Sequence, residues 1–243
     1  MKRAIGLVGA VALAALAAAC SHAGAEDAGP TGTRNFQVAG FQKIQVSGPF
    51  EVQVHTGAAP GVSATGPQNI LDKMLVEVRG DTLVIKPRHE NGGFHWNWGR
   101  HDTVNIAVTT QELRAAQIEG SGGIRVDQVK GQSFDGAIAG SGDLSVALLE
   151  AQSVNLSVGG SGSMKADGGR AQSIALNIQG SGDIDTSKVA AETATANIGG
   201  SGNISAQATR SASVNIAGSG NVEITGGAKC SISKAGSGDV RCS

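Results

Sequence analysis

Three groups of side chains in this 243-residue chain have types and spacings suited to chemistry. The densest is Arg88-His89-Glu90-Asn91-Gly92-Gly93-Phe94-His95-Trp96-Asn97-Trp98-Gly99-Arg100-His101, which holds both tryptophans and three of the five histidines. Aromatic faces beside amide, guanidinium and imidazole groups are what a carbohydrate or peptide contact uses, so His95, Trp96, Trp98 and Arg100 are the ligand-contact candidates. His89, His95 and His101 could meet at a metal only if the segment folded back, and their spacing matches no zinc pattern. No metal and no cofactor is expected. The plainer account is a loop between strands at 82–87 and 103–109, its tryptophans packed on the body.

The second group is Asp143, Asp183 and Asp239, each directly after a Gly-Ser-Gly triplet. If the triplets stack at about 4.8 Å per coil, Asp143 and Asp183 lie roughly 9.6 Å apart, near the outer limit for an inverting pair of carboxylates. That spacing raises the rival reading of a carbohydrate-active enzyme, a lyase or hydrolase. Against it, Ser163 stands between the two, no Tyr, Trp, Arg or Lys joins the row to hold a sugar, and Asp or Asn beside Gly is an ordinary turn choice. No catalytic residue is assigned. Calcium fails on the same row, because the period is not the nonapeptide that binds it.

Cysteines form the third group. Cys20 sits at the end of an apolar run and is a candidate for lipidation; Cys230 and Cys242 remain as an even pair near the C-terminus, and an oxidising compartment would make them a candidate disulfide. Two buried small hydrophobes is the alternative.

The elements that position these groups follow from the triplet, which stands at 120–122, 140–142, 160–162, 180–182, 200–202, 218–220 and 236–238, with spacings of 20, 20, 20, 20, 18 and 16. A fixed period of this kind marks a repeat architecture. Between triplets the apolar residues alternate: Val154, Leu156, Val158; Ile174, Leu176, Ile178; Ala194, Ala196, Ile198; Val214, Ile216. A period of two means strands with one buried face. One repeat has too little apolar surface to fold alone, whereas parallel stacking in register makes the core continuous. The later arcs shorten by two residues each time, which keeps the inward face inward. The expected fold is all-β, a parallel β-helix (β-solenoid) with repeats of about 20 residues. Ser157, Asn177, Asn197, Asn215 and Ser233 fall at equivalent outward positions, where stacked amides can bond along the axis.

The composition agrees: 37 glycines, 3 % aromatics and no tyrosine suit a narrow coil. A net charge of −1 gives no electrostatic reason to expect nucleic acid. Lys2-Arg3 and the apolar run 4–19 are the pattern of an export signal, placed at 1–25. Ala17-Ala18-Ala19-Cys20 approximates a lipobox with Ala where Leu is usual, and cleavage after Ala25 is the alternative. Residues 26–35 read as a polar tether, 36–119 as longer, less regular β-coils capping the array, and 120–243 as the regular repeats of a single domain. Within the cap, 57–67 reads as loop, 69–74 as one helical turn, and 75–85 as a hairpin around Gly80-Asp81.

The arrangement Phe41-x-x-Ile44-x-Val46-x-Gly48-x-Phe50-x-Val52, then Leu83-Val84-Ile85, then repeated Gly-Ser-Gly-(Asp/Asn)-(Ile/Val/Leu), resembles the GIN-domain family of autotransporter-adhesin head domains over residues 36–243. The resemblance implies a β-helical body in exported or lipid-anchored bacterial envelope proteins, without catalytic residues to carry over. The expected function is therefore that of a non-catalytic cell-envelope protein, periplasmic or at the outer membrane, whose solenoid presents an extended interaction surface for adhesion or scaffolding. Its partners would be a surface glycan, an envelope protein or a second copy, and it would meet a membrane only through a lipid on Cys20.

Overall fold

The computed structural model describes residues 29–88 and 103–243. The expected export signal, Cys20 and the segment bearing His95, Trp96, Trp98 and Arg100 lie outside the described residues. The elements run β1 (Thr31–Phe36), β2 (Lys43–Ser47), β3 (Glu51–Thr56), β4 (Gly61–Pro67), α1 (Gln68–Asp72), β5 (Met74–Arg79), β6 (Thr82–Pro87), β7 (Asn105–Thr110), β8 (Ala115–Gly120) and β9 (Gly123–Gly140). They continue with β10 (Asp143–Gly160), β11 (Ser163–Ala166), β12 (Gly169–Gly180), β13 (Asp183–Gly200), β14 (Asn203–Gly218), β15 (Asn221–Thr225), β16 (Lys229–Gly236) and β17 (Val240–Cys242).

From β8 onward every pairing is parallel and the register follows the repeat. Ile138, Val158, Ile178, Ile198 and Ile216 stack as one ladder, and Ile124, Leu144, Met164, Ile184, Ile204 and Val222 as another. All are buried. The result is a β-solenoid whose core runs unbroken along its axis. Where the arc shortens between β13 and β14, the register shifts at Thr186/Ala190 and again at Ala191/Thr193, and the flanking faces keep their phase. Thr186 enters the core ladder as a buried polar residue, its hydroxyl donating to Ser205 O at 3.3 Å.

The triplet corners explain both glycines. The first one of each triplet has φ between +114° and +136°, a region that side chains with a Cβ rarely adopt. A Cβ on Gly140, Gly160, Gly180, Gly200, Gly218 or Gly236 would strike the carbonyl oxygen of the corner glycine one coil earlier. The amides of Ser141, Ser161, Ser181, Ser201, Ser219 and Ser237 donate to those same carbonyls at 2.8–3.0 Å. The second glycine seats a core side chain: a Cβ on Gly162 would lie 2.7 Å from Ile138 Cγ2, and one on Gly220 2.7 Å from Ile198 Cγ2. The column begins outside the repeats, at Gly48 (φ +107°), against which Gly120 stacks.

The N-terminal end departs from chain order. β2 lies between β6 and β8, and β3 between β7 and β9, all parallel, so the strands that come first in sequence are enclosed between two later pairs. Antiparallel strands then finish each sheet, β5 beside β6, and β4 beside β7 with β1 beyond it. Two expectations are corrected here. Residues 31–35 of the expected tether belong to β1, because β4 offers a free edge and Arg34 anchors the strand through Leu71 O, at 2.9 Å, and Asp72. Residues 61–67 of the expected loop form β4: Val62, Ala64 and Gly66 alternate inward, and at Gly66 a Cβ would meet Val104 Cγ2 at 2.9 Å. The helical turn and the Gly80-Asp81 hairpin are where the residues placed them.

The C-terminal coil has no successor. Ile232, in the ladder of Leu156, Leu176, Ala196 and Val214, is 50 % exposed for that reason. Lys234 takes the next inward position, after Ile216, and its ammonium escapes to Gly238 O at 2.7 Å. Cys230 and Cys242 are joined as a disulfide with Cα atoms 6.7 Å apart, Cys230 half-buried and Cys242 exposed, since no further coil covers either.

Two outcomes follow from this packing. Ile178→Asp places an unpaired carboxylate between Val158 and Ile198, and should lower stability by more than about 4 kcal/mol. The outward neighbour Asn177→Asp still accepts from Asn197 Nδ2, 2.8 Å away in the wild type, and should cost under about 1 kcal/mol. Denaturant unfolding of the pair measures the difference, and equal shifts would contradict the register. Reduction of the Cys230–Cys242 bridge, which closes an interval of 12 residues, should release about 2–4 kcal/mol of local stabilisation. Limited proteolysis should then begin near residue 225, while mass spectrometry finding two free thiols in the untreated protein, produced under oxidising conditions, would refute the staple.

Candidate interaction surface

Outward positions of the strands from β9 to β16 form a regular array. Its rungs are 133–139 of β9, 153–159 of β10, 173–179 of β12, 193–199 of β13, 211–217 of β14 and 229–235 of β16, each in direct register with the next. The four central rungs present Ser153, Asn155, Ser157, Gly159; Ser173, Ala175, Asn177, Gln179; Thr193, Thr195, Asn197, Gly199; and Ser211, Ser213, Asn215, Ala217. None of these is charged, although at the chain-wide fraction of 16 % two or three would be.

Hydrogen bonds run along the axis of this array. Asn215 Nδ2 donates to Asn197 Oδ1 at 2.9 Å, Asn197 to Asn177 at 2.8 Å, and Asn177 diagonally to Asn155 at 3.4 Å. Each amide is thereby fixed by the coil beneath it. Gln179 lies across Gly199, where a Cβ would sit 2.5 Å from Gln179 Oε1, so the longest side chain lies flat. The row of Ser157, Asn177, Asn197, Asn215 and Ser233 read from the sequence is one column of this face; the neighbouring Ser/Thr columns escaped notice, although their signal was the same alternation.

The corner row behaves as structure. Asp143, Ser163 and Asp183 are in register, Ser163 Oγ donates to Asp143, Asn203 Nδ2 to Asp183 at 2.7 Å, and Asn221 Nδ2 to Asn203 at 3.0 Å. Among the described residues, Asp81 and Asp167 lie away from this row, each beside a lysine. A hydrogen bond from Lys43 holds Asp81 below the usual range, and one from Lys165 does the same for Asp167. Both shifts run opposite to that of a general acid, which needs a raised value.

Two depressions are open and internally paired. One, of about 560 Å³, is lined by Gln45, Ser47, Arg79, Lys86, Pro87 and Glu119 among others, with Gln45 and Ser47 donating to Glu119 at 3.0 and 2.9 Å. The other, of about 590 Å³, crosses Lys130, Glu150 and Arg170, where Glu150 pairs with Arg170 at 3.2 Å and with Lys130 at 3.9 Å. Among the described residues no three His, Cys, Asp or Glu side chains gather for a metal, and no helix is long and apolar enough to cross a membrane.

Comparison with known proteins fits this geometry. A putative adhesin from Bacteroides fragilis NCTC 9343 has TM-score 0.80 at 24 % identity, covering 88 % of this chain and 97 % of that one. A putative lipid binding protein from Parabacteroides distasonis ATCC 8503 has TM-score 0.67 at 24 % identity, again with 88 % and 97 % covered. A putative adhesin from the same strain has TM-score 0.69 at 21 % identity, with 88 % and 98 % covered. At these identities the likeness establishes a shared fold. No curated protein matches the chain. Residues 40–228 match the family described as putative auto-transporter adhesin, head GIN domain, and with well over half its length matched this chain belongs to that family.

Proposed function

We propose that this is a non-catalytic protein of the cell envelope, exported by its N-terminal signal and held by a lipid on Cys20, whose solenoid displays an extended surface for adhesion to a surface glycan or envelope protein. One observation carries this reading: the side chains of the asparagine row and of the corner row bond to equivalent groups one coil away, so these rows offer shape and periodicity rather than reactive centres. A catalytic cleft requires the reverse, a few convergent polar groups with shifted protonation in a concave pocket. Membership of the adhesin-head family agrees. His95, Trp96, Trp98 and Arg100 remain the side chains best suited to grip a sugar, as flat rings and a planar guanidinium stack on pyranose faces without chemistry.

The test is to incubate the purified protein with envelope polysaccharide fractions. The protein should co-sediment with a fraction, deletion of 89–101 should weaken that retention at least about tenfold, and the polymer should be recovered intact. Release of new chain ends by the wild type, lost in Asp143→Asn, would overturn the reading in favour of an enzyme.

A further inference from the structure

Six rungs of this face, from β9 to β16, carry two charged residues among their outward positions, of opposite sign and at opposite ends of that stretch; beyond β9 the sheet continues in register through β8, whose Glu119 is held by Gln45 and Ser47. Asp135 lies on the first rung, beside Asn155, and Lys229 on the last, beside Ser211. Neither belongs to an ion pair among the described residues. By contrast, Lys130, Glu150, Arg170, Glu192 and Arg210, on the neighbouring arc, are all paired within the chain.

We propose that this face docks against the same face of a second copy, the two related by a twofold axis parallel to the strands. That operation preserves the columns and reverses the rungs, so the first rung of one copy meets the last rung of its partner. Asp135 then lies opposite Ser231 of the partner subunit, one column, about 6.7 Å, from Lys229 of the partner subunit, within reach of a lysine side chain. Symmetry supplies the pair twice. Rotation about the solenoid axis instead leaves Asp135 against Ala137 of the partner subunit and both charges unanswered.

Three features suit this occupant. Rungs about 4.8 Å apart match the rungs of an identical face without mismatch over any length. Hydroxyl and amide groups both donate and accept, so a surface of Ser, Thr and Asn complements itself. Six rungs about 4.8 Å apart, each seven residues long at about 3.3 Å per residue, give roughly 650 Å² on each copy and about 1,300 Å² in total, inside the range of specific interfaces. The open end of the solenoid does not compete. Lys229, Lys234 and Arg241 crowd its edge strands, and charges of one sign there discourage edge-to-edge pairing.

Sedimentation equilibrium of the purified exported protein, from micromolar to near-millimolar concentration, tests the proposal. The wild type should show a monomer–dimer equilibrium, and Thr195→Arg, at the centre of the face, should abolish it with its circular dichroism and Tm unchanged. Asp135→Lys and Lys229→Glu should each weaken the dimer about tenfold, and the double variant should regain wild-type affinity. Four results would overturn the proposal: a monomer at every concentration; a dimer unaffected by Thr195→Arg; a double variant no stronger than either single one; or a monomer retained through this face on ice or crystalline polysaccharide.

Discussion

The structure depends on how closely one coil can approach the next at its corner. In-register strands lie about 4.8 Å apart, and at a bend the backbones meet with no pleat to separate them. Only a residue without Cβ leaves the carbonyl of the preceding coil room to accept the next serine amide. Because that approach repeats from Gly120 to Gly236, the corner column fixes the pitch at one line along the solenoid. The ladders of isoleucine, the amide row and the flatness of the outer face all inherit that pitch. Side-chain size is then adjusted locally: Gly136 leaves room for Leu156 and Leu144, whose Cδ2 atoms would lie 2.7 and 2.9 Å from a Cβ there.

A stack built this way leaves two open ends, and the chain treats them differently. At the N-terminal end β5, β4 and β1 run antiparallel and close the sheets, with α1 tucked against β4 and β1. The C-terminal end is protected by chemistry instead of by added strands. A half-exposed Ile232 stands among lysines, and the disulfide ties the last strand to the one before it.

The regular half was legible from its residues because period and register are the same fact: a Gly-Ser-Gly every 20 residues and apolar residues every second position leave one way to stack. The cap was less legible, for two physical reasons. Strands that pair antiparallel at an edge need no repeated neighbour, so Thr31–Phe36 and Gly61–Pro67 carry weak patterns, and their glycines and prolines argued for loop. The placement of β2 and β3 between later strands is a long-range choice that no local pattern records. On the surface, the amide row could be found because asparagine is distinctive at a fixed spacing. The charge-free face around it emerged only when neighbouring rungs were set side by side, since Ser, Thr and Ala at alternate positions are unremarkable in one dimension.

Adhesion and scaffolding both ask a protein to hold a surface rigid over a distance, and the corner column is what makes this body rigid. Thermal unfolding of Gly200→Ala beside Ser201→Ala tests that claim most directly. Gly200 has φ +133° and faces the Gly180 carbonyl, while the Ser201 side chain is exposed. The account predicts that Gly200→Ala loses at least about 2 kcal/mol and several degrees of Tm, whereas Ser201→Ala stays within about 0.5 kcal/mol of the wild type. Equal stability of the two variants would contradict it.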